Sequence, residues 1–275
     1  MNDVFSPKRF AALFKKTIAE RPLQTVGVTL VSLVLSFLLY VSVKKFFGFE
    51  PAQNLTFLWG LTGGGFFLSS FVFGYFGSNS SGSSYLTLPA SFFEKWLCSI
   101  LIAGVLYPII FLLFYHLIDV AFVAAYHKGL DPNSLFYKQQ YESVFTFDLN
   151  GIVAWKVYPI FLLLTGSMLT GSLYFNKIAF IKTAICLCIM IFLIIGINWL
   201  IAGAIFKNIN AAVIGSPFGM KDTRPYDRVT LYIGKETGTL LLPPHLDNFF
   251  HVALSFVVPF VLWFLPLLRL REKEF

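Results

Sequence analysis

From residue 96 to residue 125 the chain reads WLCSILIAGVLYPIIFLLFYHLIDVAFVAA, a run in which Asp119 is the one formally charged side chain. A helix crossing a bilayer of about 30 Å needs roughly 20 mainly apolar residues, so this run suffices for a span. Working outward, the stretches 23–43, 55–76, 153–175, 178–206 and 249–268 meet the same requirement. The whole chain agrees: of 275 residues, 57% are hydrophobic, 18% aromatic and only 13% charged, with a mean hydropathy of +0.74. Soluble domains carry roughly 25% charge, and a soluble fold of this size would lack the polar surface to cover its core. The expectation is an all-α polytopic membrane protein. Residues 1–22 form a cytoplasmic amphipathic helix and 23–275 a six-helix transmembrane domain, with an outer segment, 207–247, between spans five and six.

The formal charge is +7 and the pI about 9.3. The basic residues cluster at span ends, with no zinc knuckle, RNA-binding aromatic signature or long basic run, so the charge speaks of topology rather than of nucleic acid. Lys8, Arg9, Lys15, Lys16 and Arg21 precede the first span, and Arg269, Arg271 and Lys273 follow the last, which places both termini in the cytoplasm. Lys95, Lys177 and Lys182 add to the inner side, whereas Lys44 and Lys45 count against it. The first apolar run is too long for a signal peptide and has no small-residue cleavage site behind it, so it is expected to stay attached.

Ser6-Pro7 has the form of a helix cap and first-turn proline, and Phe10, Leu13, Phe14, Thr17 and Ile18 recur at helical spacing. Lys8, Lys15, Lys16 and Glu20 lie on or near the opposite face, so this helix should rest in the headgroup plane until Arg21-Pro22 turns the chain inward. After span two, the serine- and glycine-rich residues 78–84 read as a flexible linker. Ser91 and Glu94 then make an S-x-x-E capping box that starts the third helix. Residues 127–150 are polar, with a turn at Asp131-Pro132-Asn133, and carry no assigned chemistry. In 207–247, Val229, Leu231 and Ile233 alternate with polar neighbours before Gly234 to Gly238 and Pro243-Pro244, the pattern of a small extracytoplasmic hairpin. A re-entrant arrangement around 211–218 is the open alternative.

Catalytic signatures are missing. The nearest text to a phosphate-cradling loop, Ile233-Gly234-Lys235-Glu236-Thr237, has Val229 where the first glycine must stand, and no zinc-protease or hydrolase motif appears. No cofactor or metal is expected in this chain: Cys98, Cys186 and Cys188 lie in or beside spans, and the C-x-C pair has no histidines nearby. His116 and Asp119, three apart on the third span, read either as a hydrated structural pair or as a proton site. Lys156 and Lys182 snorkel from span ends. Gly60, Gly63, Gly64 and Gly65 in span two, and Gly166, Ser167, Thr170 and Gly171 in span four, give small-residue patches that read as close helix packing or as the lining of a path. Pro108, Pro159, Pro259 and Pro266 mark bent helices.

The leading helix, the stretch Tyr85-Leu86-Thr87-Leu88-Pro89-Ala90-Ser91-Phe92-Phe93-Glu94-Lys95, the turn from Gly171-Ser172-Leu173-Tyr174-Phe175-Asn176-Lys177 to Lys182-Thr183 and the tail Arg269-Leu270-Arg271-Glu272-Lys273-Glu274 carry a resemblance. Together they resemble the six-span membrane subunits of ABC-2-type transporters, in a divergent bacterial permease-like branch. The resemblance implies a multi-pass subunit of the bacterial cytoplasmic membrane, most simply an exporter, that pairs into a homodimer or heterodimer. It also implies that a separate cytoplasmic ATP-binding-cassette ATPase supplies the energy, coupling through Phe10, Lys15, Lys16, Leu88, Pro89, Ser91, Glu94 and Lys95. Two other readings stay open: a non-transporting scaffold of a membrane complex, and a proton-coupled carrier built on His116 and Asp119.

Overall fold

A computed structural model describes residues 5–77, 79–175, 179–205, 228–233, 236–241 and 252–272. Helix α1, Pro7–Glu20, starts behind an extended Ser6 with proline in its first turn and buries Leu13 and Thr17. A π-helical turn, Leu23–Gly27, feeds α2, Val28–Phe47, and together they make one apolar helix, Leu23–Phe47. Gly48 alone joins it to α3, Phe49–Val72, at φ +94°, a conformation that residues with a Cβ adopt only with strain. A 3₁₀ turn, Gly74–Gly77, leads to α4, Asn79–Leu86. Helix α5, Phe92–Ile100, runs through a π segment, Leu101–Leu106, into α6, Tyr107–Lys128. The π segment has a cause in sequence. Pro108 has no N–H and its ring would crowd the Gly104 carbonyl, so the turn widens and the Tyr107 N–H donates five residues back, to the Ile102 carbonyl. The short α7, Tyr137–Glu142, precedes α8, Ile152–Tyr174.

Among the described residues, four helices are long and apolar enough to cross a membrane: Leu23–Phe47, Phe49–Val72, Phe92–Lys128 and Ile152–Tyr174. Their junctions differ from the expected 23–43 and 55–76, because Gly48 lets one helix end and the next begin without a loop. Helix α3 is the centre of this assembly. In its most apolar window 61% of the residues are buried, against 17% for Leu23–Phe47, and it packs on α2, α6 and α8. Phe57 and Leu61 are fully buried on it, and the Phe57 ring meets Phe147 at 4.6 Å, Tyr115 at 5.3 Å and Tyr158 at 6.0 Å between centroids.

Glycine makes the approach of α6 to α3 feasible. A Cβ built on Gly64 would lie 1.7 Å from the Tyr107 hydroxyl oxygen, and one on Gly60 would lie 2.4 Å from the Phe111 ring. Tyr107 cannot swing aside, since it is buried and its hydroxyl donates to the Gly60 carbonyl at 2.5 Å. Gly64→Ala is therefore expected to cost ~1–3 kcal/mol by overpacking. Gly63→Ala, with nothing within 4 Å of its Cβ, should be neutral or slightly stabilising through helix propensity. Thermal unfolding of the two variants side by side in detergent checks this, and equal midpoints would refute it.

Of residues 78–84, expected as a linker, 79–84 are instead helical, in α4, and Ser78 lies outside the described residues. Serine and glycine have weak helix propensity, but Tyr85 stacks on Tyr75 at 4.6 Å and Gly82 is buried near Phe76, so packing overrides propensity.

Two compact units divide the chain: Met1–Phe180 with Pro259–Phe275, and Ile181–Val258. Helix α1 lies within the first unit. The first unit also takes most of α10, Val258–Glu272, whose Trp263 indole donates to the Leu162 carbonyl at 2.8 Å and whose Trp263 carbonyl accepts from Trp96 at 2.7 Å. In the second unit, most of the apolar α9, Ala179–Ile205, is followed by strands β1, Arg228–Ile233, and β2, Glu236–Leu241, paired antiparallel from Arg228 opposite Leu241 to Ile233 opposite Glu236. A π turn at Ala253–Val257 stands before Pro259, repeating the device seen before Pro108. Residues 211–218, Gly234 and Lys235, Pro243-Pro244, Asn176, Lys177 and the tail from Lys273 lie outside the described residues.

Candidate functional site

The capping box of α5 does more than cap. Ser91 accepts the Glu94 N–H at 3.2 Å and Glu94 Oε2 accepts the Ser91 N–H at 2.9 Å, the reciprocal pair expected from S-x-x-E. The other carboxylate oxygen reaches across to the leading helix. Glu94 Oε1 accepts the Ser6 N–H at 2.8 Å and the Arg9 guanidinium at 3.2 Å. One fully buried carboxylate thus caps two helices at once, holding the start of α1 against the start of α5. An aromatic contact reinforces the joint, with Phe5 edge-on to Phe93 at 6.2 Å. Further along, the Cys98 thiol lies 3.9 Å from the Thr17 hydroxyl.

The residues expected at a partner-facing surface divide accordingly. Lys15, Lys16 and Pro89 are exposed, and Phe10 and Leu88 are half-buried. Ser91, Glu94 and Lys95 are buried, so a docking partner does not touch them without first displacing α1 or α4. Lys95 is fully buried, donates to the Leu86 carbonyl at 2.8 Å and lies over the Phe92 and Tyr85 rings at 5.5 and 5.7 Å. Its burial follows from α4 folding back over the start of α5, which a linker at 78–84 would not do. Lys16 and Leu88 line the same small cavity, so α1 and the loop before α5 present one continuous surface. Tyr75, in the wall of that cavity, is pushed up to about 12 by burial first and then by the Glu20 carboxylate, so its phenol remains a donor at neutral pH.

At the other end of the helices, Asp119 anchors a second polar cluster. Its Oδ1 accepts from the Tyr40 hydroxyl and from Gln53 Nε2, both at 2.8 Å, and its Oδ2 accepts the Phe147 N–H at 2.6 Å. Gln53 also donates to the Phe145 carbonyl at 2.8 Å. His116 is exposed whereas Asp119 is buried, and Asp119 bonds to Tyr40, Gln53 and Phe147 rather than to His116. Residues three apart are only about 60° apart around a helix, and here the edge of the buried face of α6 falls between them, with Asp119 inside it and His116 outside. Residues 143–151 are correspondingly not a bare polar loop. They return over the helix ends and put Phe147 and Leu149 against the core.

Gly166 sits under Trp263, where a Cβ would be 2.7 Å from the indole, and Gly171 is buried within α8. Cys98 is buried and Cys186 and Cys188 are exposed. Lys156 and Lys182 are exposed near the starts of α8 and α9. Sequence reasoning had no part for Tyr40, Gln53 or Phe147. The available signal was the polar Gln53 beside an apolar run, since a polar residue at membrane depth demands a partner.

No family model, curated protein or solved structure matches the chain. The class defined by the fold is a predominantly helical protein with, among the described residues, four helices long and apolar enough to cross a membrane.

Proposed function

We propose that this chain is the membrane-spanning subunit of an ABC-2-type transporter, an exporter of the bacterial cytoplasmic membrane driven by a separate ATP-binding-cassette ATPase. The observation that carries this reading is the Glu94 joint. It fixes an amphipathic basic helix to the start of a span, leaving Lys15, Lys16 and Pro89 outward. A helix tied by a buried, hydrogen-bonded carboxylate moves with the span it is tied to, so force applied to α1 reaches α5 and α6 directly. In this reading α9 and the segment from Val252 through α10 complete six spans, both termini are cytoplasmic, the strands β1 and β2 lie outside, and two copies or two related subunits form the transporter. ATP hydrolysis belongs to the partner, and this chain supplies the path and the docking surface. That surface consists of Lys15, Lys16, Leu88 and Pro89, with Phe10 behind it and Ser91, Glu94 and Lys95 as its buried support.

Affinity purification in mild detergent from the native cell, followed by mass spectrometry, should recover a stoichiometric nucleotide-binding ATPase. Reversing the exposed charges with Lys15→Glu and Lys16→Glu together should release it at least tenfold while leaving the elution volume of the membrane subunit unchanged. Recovery of other membrane proteins in constant ratio, with no ATPase, would replace the transporter with a scaffold.

A further inference from the structure

Between the last turn of α1, the 3₁₀ turn after α3, and α4 lies a cavity of about 60 Å³. Its wall includes Lys16, Glu20, Arg21, Tyr75, Ser84 and Tyr85. Two cations face one carboxylate there, and each charged group has a distinct setting. Glu20 Oε2 accepts the Tyr75 hydroxyl at 3.4 Å. The Arg21 guanidinium lies 3.9 Å over the Tyr75 ring and donates from Nη1 to Gln24 Oε1 at 3.1 Å, so it is oriented while its other N–H groups stay available. The Lys16 ammonium and the Ser84 hydroxyl have no hydrogen-bond or ion-pair partner among the described residues. A fixed guanidinium fork, an uncompensated ammonium and a free hydroxyl are the donor set for a tetrahedral oxyanion. The volume is several times the roughly 10–15 Å³ that one water needs by the same measure, which leaves room for a small oxyanion.

The position in the chain adds depth to the chemistry. Arg21 stands just before the span Leu23–Phe47 and Tyr75 just after the span Phe49–Val72, which puts the cavity at the level where both spans leave the hydrocarbon. Directly beyond it, Leu23 is 83% exposed and offers an apolar surface for an acyl chain. Basic pockets at span ends are where anionic headgroups bind.

We propose that this cavity holds the phosphate of an anionic phospholipid from the leaflet in which α1 lies, with Lys16 and Arg21 as its cationic ligands and Ser84 as a hydroxyl donor. The lipid would fill the corner between α1 and α4 and fix α1 against the membrane.

The test uses the purified full chain in a neutral detergent at physiological salt, with unfolding followed by intrinsic fluorescence. Phosphatidylglycerol should raise the midpoint, and neither phosphatidylcholine nor millimolar inorganic phosphate should do so. Lys16→Gln should weaken the response to phosphatidylglycerol about fivefold, the factor expected for one basic contact at a membrane surface. Lys15→Gln removes the same charge from the same helix outside the cavity, and should keep the response. Equal loss in Lys15→Gln would reduce the effect to the overall charge of α1 and overturn the site. Equal protection by inorganic phosphate would give the residues a soluble phosphate instead and overturn the lipid assignment.

Discussion

Asp119→Ala should unfold in mild detergent at temperatures that leave the parent chain intact. The substitution removes the acceptor of three donors at once: the Tyr40 hydroxyl, the Gln53 amide and the Phe147 N–H. Each buried donor left without an acceptor costs ~1–3 kcal/mol, so the total is about 3–9 kcal/mol, against a net stability of roughly 5–15 kcal/mol for a typical fold. The loss is also spatially concentrated. Tyr40 is on α2, Gln53 on α3 and Phe147 on the return segment before α8, so one carboxylate on α6 ties together four parts of the chain. Asp119→Asn separates this role from simple bulk. An asparagine oxygen still accepts from Tyr40 and Gln53, but its amide then faces the Phe147 N–H, and the expected cost falls to ~1–3 kcal/mol. Size-exclusion profiles recorded after a series of heating steps rank the three chains. A parental midpoint in Asp119→Ala would show that this cluster does not hold the helices together.

The second large effect is expected at Glu94. Glu94→Ala strips the cap from α5 and leaves the Ser6 and Ser91 N–H groups and the Arg9 guanidinium without their shared acceptor. A lost cap costs typically ~1 kcal/mol and a buried N–H left without its acceptor ~1–3 kcal/mol, which puts the sum at about 2–4 kcal/mol, with little from Arg9, whose side chain is 34% exposed. The loss is directional, because α5 is also held by its neighbours whereas the start of α1 depends on this joint. Trypsin should therefore cut at Lys8, Arg9, Lys15 and Lys16 in Glu94→Ala under conditions where the parent chain resists, as read from intact masses. Glu94→Gln, which keeps one acceptor oxygen, should fall between them. Unchanged resistance in Glu94→Ala would mean that Phe5, Phe10 and Phe14 suffice to hold α1. Because Glu94 is interior, the effect of its replacement on partner binding would confound docking with folding, and the exposed Lys15 and Lys16 give the cleaner test.

How much of this is legible in the sequence depends on the distance over which each signal acts. Ser91 and Glu94 are three residues apart, and their reciprocal bonds are the ones that their spacing implies. The amphipathic period of Phe10, Leu13, Phe14 and Thr17 likewise anticipates α1, and Leu13 and Thr17 are its buried residues. The second role of Glu94 is not legible, because Ser6 lies 88 positions away and no local pattern pairs them. Asp119 shows the same limit. Its partners Tyr40 and Gln53 lie 79 and 66 positions away, on spans whose rotation about their axes is set by packing that periodicity does not report. In a bilayer both faces of a span are apolar, so the contrast that orients a helix in a soluble protein is weak, and the inward turn of Asp119 away from His116 could not be read. Residues 78–84 failed differently. Their composition is that of a linker, and only the Tyr75–Tyr85 stack, a contact between segments, makes them helical.

The single-residue joint at Gly48 has a consequence for how the protein is made. Between Phe47 and Phe49 there is no hydrophilic loop to be carried through the bilayer. The polar cargo of that corner is Lys44, Lys45 and Glu50 at the helix ends, and the Lys44 ammonium is covered by the Phe49 and Phe122 rings at 4.3 and 4.5 Å. The first two spans are thus expected to leave the translocation machinery as one hairpin, already paired along α2 and α3. That pairing would give later helices a preformed surface on which to assemble, with α3 at its centre from the start.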